Sequence, residues 1–330
     1  MNFIITIFSF LLISINTYAE PNVLKCNKDC GTPDINNEFT FQARLSMGPD
    51  KFGGNVTFIE DDIIITEAHV LGIGERKTCC SSKYTKKIAE DWKHHKKNMY
   101  VVEGNSWQEK QKIIAKVLDI SARKNGHPPG YDLLVAHVDR NCKKCQKNKN
   151  IIITPIPLAN KLPKIGASAQ HICIPDNKKA GKGIIWMPHN LNGIIFGAKT
   201  TLCSRQIIKH DGKDNPPMMF EGCSGSPVIL KECGKNVIHG LHGNGIDDGK
   251  HMYEILQLVQ TQKEWVQSEI YKWTGRTDML DACTKNGRRS FMTGNKFDIS
   301  QNGCIKKLIK DNEFFPCDIV DLEKAIGLPF

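Results

Sequence analysis

A chain of 330 residues with 40% hydrophobic side chains has enough material for one large domain or two medium ones, and it is too apolar to be disordered. Its 45 Lys and Arg against 35 Asp and Glu leave a formal net charge of +10, gathered in Lys- and Arg-rich runs at 86–97, 140–149 and 286–290. Those runs lack the interleaved aromatic residues on which bases stack, so no nucleic-acid partner is expected; loose attraction to acidic surfaces is the physical consequence of the charge.

In chain order, the first feature is an uncharged apolar run from Phe3 to about Ile13, followed by Thr17-Tyr18-Ala19. It reads as a cleaved secretory signal over 1–19, too short for a membrane span, and no later stretch is long and apolar enough to be one. All thirteen cysteines follow it. In an oxidising compartment most of them pair, and an odd number leaves at least one outside the intramolecular bridges. The close pairs Cys26/Cys30 and Cys142/Cys145 match no standard zinc module, so disulfides are the better reading; neither a metal nor a cofactor is expected. Asn55 opens the glycosylation sequon N-V-T, usable where its loop is exposed.

A cysteine-bearing arm (20–38) leads into β-rich segments bounded by turn residues: FTFQARLS (39–46), NVTFIE (55–60), DIIITEAHV (62–70), MYVVEG (99–104), QKIIAKVLDI (111–120) and GYDLLVAHV (130–138). The polar stretch NCKKCQKNKN (141–150) reads as a boundary between halves at 39–150 and 151–275. Strands then resume in IIITPIPL, SAQHICIP, GIIWMP, GIIFGAK, SPVIL and NVIHGLHG. Many short strands with turns between them predict an all-β chain of barrels or a sandwich. Over 254–273, Ile255, Leu258, Val259, Val266, Ile270 and Trp273 fall on one helical face, with Gly275 at the expected end. The remaining 276–330 reads as a cysteine-bearing extension.

Acyl transfer by a serine needs a base for the hydroxyl proton, a carboxylate to hold that base in one tautomer and donors for the oxyanion. Candidates occur in the order His69, Asp132, Ser224, and together these stretches resemble the chymotrypsin-like serine peptidases. IITEAHV is similar to the T-A-A-H segment of that family, with Glu67 in place of the first Ala. YDLLVAHV resembles its D-[IL]-A-L-L strand, EGCSGSP its G-D-S-G-G-P, FTFQARLS its opening strand and KEWVQSEI its closing helix. The resemblance implies two six-stranded antiparallel β-barrels with a closing C-terminal helix. His69 is then the general base, Asp132 the orienting carboxylate and Ser224 the nucleophile. The N–H groups of Gly222 and Ser224 form the oxyanion hole, Gly222 lacking the Cβ that forbids unusual backbone angles. Cys173 and Cys233 lie where the family often bridges its second barrel. Other histidines, His137 and His171 among them, are expected as structural or surface residues.

The departures carry information. Cys223 stands where the family has an Asp that pairs with a newly cut amine, and no basic-I-V-G-G sequence precedes residue 39, so no amine-insertion switch is expected. Cys223 as nucleophile would require G-x-C-G, whereas Ser224 occupies the glycine position. Met218 replaces the Asp of trypsin-like pockets, which removes the counter-charge for Lys or Arg. His242, two residues after Gly240, resembles the G-I-H histidine of bacterial glutamyl endopeptidases and suits Glu or Gln; a pocket lined by Met218 and Met219 suits apolar residues. A secreted endopeptidase follows, with protein or peptide substrates and a protein inhibitor as partners. The alternative is a secreted binding protein on the same fold with little or no catalysis. An esterase of the lipase type would carry its residues in the order Ser, Asp, His.

Overall fold

The computed structural model describes residues 32–34, 36, 38–46, 52–71, 98–103, 112–122, 133–161, 167–174, 185–191, 194–196, 205–210, 222–247 and 252–291. These residues are mostly β, with one α-helix among them. A two-residue strand β1 (Thr32–Pro33) precedes a closed six-stranded barrel made of β2 (Gln42–Ser46), β3 (Phe52–Glu60), β4 (Ile63–Thr66), β5 (Tyr100–Val102), β6 (Ile113–Ala122) and β7 (Leu134–Asp139). The order around the barrel is β2-β3-β4-β7-β6-β5, and every ladder is antiparallel.

Alternation along these strands builds two cores. Ala43, Leu45, Val56, Phe58, Leu134, Ala136 and Val138 share the barrel cluster, two residues apart on their strands. The unbroken run Ile63-Ile64-Ile65 has a different cause: both of its faces are covered. Ile64 joins the barrel cluster, whereas Ile63 and Ile65 join a second one with Ile172, Ile229, Ile238 and Leu241 of the other half and Val266 and Ile270 of the helix. That second cluster is what presses the two halves together.

Between them, IIITPIPL was expected as a strand. It carries no ladder and makes one parallel bridge, Leu158 with Ile238; Pro155 and Pro157 supply no N–H for pairing. Before it, Cys142 and Cys145 form a disulfide.

In the second half, β8 (Ala167–Cys173), β9 (Ile185–Leu191), β10 (Ile194–Phe196), β11 (Arg205–His210), β12 (Pro227–Glu232), β13 (Lys235–Asp247) and β14 (Met252–Leu258) join β1 in one eight-stranded sheet. Its order is β1-β9-β8-β12-β13-β14-β11-β10, all antiparallel, with β1 and β10 as its two ends. Among the described residues no pairing joins those ends, so closure into a second six-stranded barrel is not observed.

The predicted long helix divides. Residues 252–258 form β14, paired with β11 on one side and β13 on the other, and the α-helix (α1) is Lys263–Thr274, entered through a 3-10 turn at Gln260–Gln262. Apolar spacing at Ile255 and Leu258 fits a strand as well as a helix, and the two neighbouring strands decide it. In α1, Val266 and Ile270 lie one turn apart and are fully buried. Gly275 ends the helix at φ 70°, its N–H donating to the Tyr271 carbonyl at 2.8 Å. Among the described residues no helix is long and apolar enough to cross a membrane.

The first part of the expected extension belongs to the folded body. β15 (Asp278–Leu280) and β16 (Arg288–Ser290) form a hairpin against the barrel. The Leu280 N–H donates to Glu60 Oε1 at 2.7 Å, Arg288 donates to Glu60 Oε2 at 3.1 Å, and Arg276 pairs with Asp62. Burial raises the Glu60 carboxyl above its ordinary range, against the opposing pull of that N–H and of Arg288.

The cysteines correct one expectation. Cys173 bridges Cys223, with Cα atoms 5.5 Å apart, and Cys233 bridges Cys283 at 5.2 Å. β12 lies between Cys223 and Cys233, and its six residues span about 20 Å. β8 meets β12 near its start, where Val228 pairs with His171, so Cys173 reaches Cys223. Cys233 sits at the far end, beyond the ~7 Å limit for a bridge to Cys173.

Candidate functional site

Ser224 lies on a tight turn whose backbone is tied down on both sides. Gly222 and Gly225 flank it at φ 89° and 79°, conformations that glycine adopts without a Cβ penalty. Asn55 Nδ2 donates to the Gly222 carbonyl at 2.6 Å, and the Asn55 N–H donates to the Ser224 carbonyl at 2.9 Å. The Gly225 N–H donates to the His242 carbonyl and the His242 N–H to the Ser226 carbonyl, both at 2.8 Å. A Cβ on Gly225 would run into Thr66 Oγ1 and the Asn55 carbonyl, so no larger residue fits there. Cys223 is fully buried and held in its disulfide, which removes it as a nucleophile. Ser224 itself is half-buried.

His69 stands on a single 3-10 turn, Ala68–Leu71, directly after β4 and Glu67. Its neighbour Val70 packs on Gly53 and Gly54, where an added Cβ would lie 2.9 Å from Val70 atoms. The 53–55 stretch of β3 therefore carries both the His69 turn, through Val70, and the Ser224 turn, through Asn55. At Gly54 a Cβ would also lie 2.9 Å from the Ser224 carbonyl, on a backbone at φ 115°.

Two further residues near this turn were given no part in the site by the sequence. Glu67 is 1% exposed, and its Oε2 is 3.5 Å from His69 Nδ1. His171, expected as structural, has Nε2 2.6 Å from Ser226 Oγ, and its ring centroid is 5.0 Å from that of His242. All three of these residues are buried, so Ser226 and His171 are a packed pair and not an accessible nucleophile and base. A charged residue inside the apolar run IIITEAHV was the available signal for Glu67. Nothing local marks His171, which meets His242 only through the pairing of β8 with β12 and of β12 with β13. His137 stacks on Trp273 with ring centroids 5.9 Å apart, a structural place as expected.

Asn55 is an interior residue. It lies in β3 at 0% exposure, and its Nδ2, the atom a glycan would occupy, donates to the carbonyls of Ile174 and Gly222. Its Oδ1 accepts from Gln42 Nε2 at 2.7 Å and from the Ile174 N–H at 2.9 Å. The exposed loop that the sequon requires is absent from this position. Asp132, Met218 and Met219 lie outside the described residues, as do the expected signal segment and Cys26 and Cys30.

The geometry thus brings Gly222, Ser224, His242 and the His69 turn to one junction, where β3 and β4 of the barrel meet the start of β12 and the middle of β13. In comparisons with known proteins, no protein-family model matches the chain and no curated protein matches it significantly.

Proposed function

We propose that this chain is a secreted serine endopeptidase of the chymotrypsin-like kind, with Ser224 as nucleophile and His69 as general base. The observation that carries the reading is the Ser224 turn. Its flanking residues are fixed by hydrogen bonds, a disulfide and two positive-φ glycines, while the serine stays partly open beside the His69 turn. Rigid presentation of one hydroxyl is what nucleophilic catalysis requires and what an ordinary surface turn does not need.

In this reading Ser224 Oγ attacks the scissile carbonyl carbon while His69 takes its proton. His69 returns that proton to the leaving amine, and water, deprotonated by the same imidazole, hydrolyses the acyl-enzyme. The backbone N–H groups of Gly222 and Ser224 receive the oxyanion. Asp132 has the role of orienting carboxylate by resemblance. A second six-stranded barrel belongs to this reading by the same resemblance. Three disulfides among the described residues favour an oxidising, extracellular setting. The preference at the scissile position is for Glu, Gln or apolar residues, with His242 as the polar group by resemblance.

A fluorophosphonate probe tests the reading. The unsubstituted protein is expected to label at Ser224 and to cleave a peptide library, and Ser224→Ala is expected to lose both. A folded protein that neither labels nor cleaves is instead a binding protein on this scaffold.

A further inference from the structure

We infer that Glu67 is a positioning residue for His69: its carboxylate holds the Nδ1 side of the imidazole, and Gly243 of the opposite sheet keeps the space that the carboxylate occupies. This rests on the proposed role of His69 as base.

Three observations carry it. The first is the separation of 3.5 Å between Glu67 Oε2 and His69 Nδ1. A carboxylate at Nδ1 stabilises the tautomer with its proton there, which leaves Nε2 to accept the serine proton. The contact is longer than an ideal hydrogen bond, and catalytic hydrogen bonds commonly tighten once substrate is bound.

The second is burial. Glu67 is 1% exposed, whereas His69 is 34% exposed. An ionised carboxylate out of water is costly without a partner, and an imidazole that becomes cationic in the transition state is such a partner.

The third is the space around the carboxylate. A Cβ on Gly243 would lie 2.5 Å from Glu67 Oε1 and 2.9 Å from Oε2. Gly243 falls at a register shift in the pairing of β13 with β14, between His242 and Asn244. Such bulges re-aim the chain beside functional sites. The barrel therefore supplies the acid, and the second sheet supplies the glycine that makes room for it. Any shift between the halves at this junction moves Gly243 against the carboxylate.

The experiment compares Glu67→Gln, Glu67→Asp and Gly243→Ala with Ser224→Ala and Asp132→Asn as references, each in the full chain and each checked for an unchanged thermal transition. Glu67→Gln is expected to lower kcat by about tenfold or more, short of the ~10⁴-fold that loss of the orienting carboxylate, here Asp132, brings, with KM little changed. The acid limb of its fluorophosphonate labelling profile is expected to move to lower pH by about one unit, because an anion beside an imidazole favours the protonated ring. Glu67→Asp is expected to recover part of the rate, and Gly243→Ala to fall in the same direction as Glu67→Gln. A folded Glu67→Gln with kcat and pH profile within twofold of the unsubstituted protein overturns the inference.

A measurement without substitution guards against variants that fail to fold. In protein carrying carboxyl-labelled glutamate, one glutamate resonance is expected to titrate in step with His69. The absence of any such resonance overturns the inference as well. If Ser224→Ala still labels, it is the peptidase reading that falls; if Ser224→Ala is dead and Glu67→Gln is normal, only the role of Glu67 falls.

Discussion

The side-chain nitrogen of Asn55 donates a 2.6 Å hydrogen bond to the carbonyl of Gly222, 167 residues further along the chain. Gln42, Ile174 and Gly222 all converge on this one side chain, and its own backbone N–H and carbonyl hold Ser224 and Thr66. A single residue therefore links β2, the end of β4, the end of β8 and the Ser224 turn.

Replacement of that amide has a stability signature. Asn55→Ala leaves the buried Ile174 N–H and two carbonyls without this partner, at about 1–3 kcal/mol for each group left unsatisfied. We expect a loss of at least about 3 kcal/mol in a denaturant titration, together with slower fluorophosphonate labelling. Intact mass of the secreted protein is expected to show no glycan on Asn55. A stable, fully reactive Asn55→Ala would show that the turn is held by other contacts.

The Cys233–Cys283 bridge makes the segment after α1 structural. It joins residues 50 apart, and loop-closure entropy for that span is about 4 kcal/mol at 25 °C. Cys283→Ser is expected to lower the unfolding midpoint accordingly. Truncation after Gly275 also removes the partners of Glu60, buried at 2% exposure, and the fully buried Met279, so it is expected to yield insoluble protein. A soluble truncation that still labels would contradict this.

Lys263 supplies a pH dependence. Burial at the start of α1 lowers its ammonium to about 8 from 10.5, although Asp281 and Glu232 pull the other way. Its Nζ donates to Asn160 Oδ1 at 2.6 Å and to the Leu158 carbonyl at 3.3 Å. Between pH 8 and 10.5 the unfolded chain binds the proton that the folded chain has released, so this group makes stability rise with pH across that window. Below pH 8 both states are protonated and the contribution is flat. Urea midpoints at pH 7.5, 8.5 and 9.5 are expected to show the rise, and Lys263→Met to abolish it. Identical slopes in the two proteins would exclude Lys263 as its source.

His242 is the specificity test. Its ring lies 5.0 Å from that of His171, whose Nε2 meets the Ser226 hydroxyl. If the pair recognises an acidic or amide side chain, a charged hydrogen bond of about 1.5–3 kcal/mol is at stake. His242→Ala is then expected to lower cleavage after Glu relative to Leu by roughly tenfold to a hundredfold. An unchanged ratio in library cleavage removes His242 from recognition.

The residues themselves determined most of the barrel, although the strand read over 62–70 ends at Thr66 and His69 stands on a 3-10 turn beyond it. Alternation in FTFQARLS, NVTFIE and LLVAHV is a local property, because each strand residue faces the core or its opposite according to parity alone. EGCSGSP was legible as a glycine-flanked turn, since glycine tolerates positive φ, whereas the role of Ser224 came only from the resemblance of several segments taken together. Partners were not legible, since period says nothing about what lies across a ladder. Glu254–Leu258 has helical spacing, yet β11 and β13 on either side make it a strand. Cys173 and Cys233 resembled a pair, yet β12 holds them apart and hands each another cysteine. Asn55 read as a surface sequon, and Glu67 as a substitution in an alanine position. Tertiary packing decided that both are interior, where an amide or a carboxylate persists only with partners. Those of Asn55 come from other parts of the chain, whereas Glu67 faces His69 two residues along, in space left by Gly243 of the other sheet.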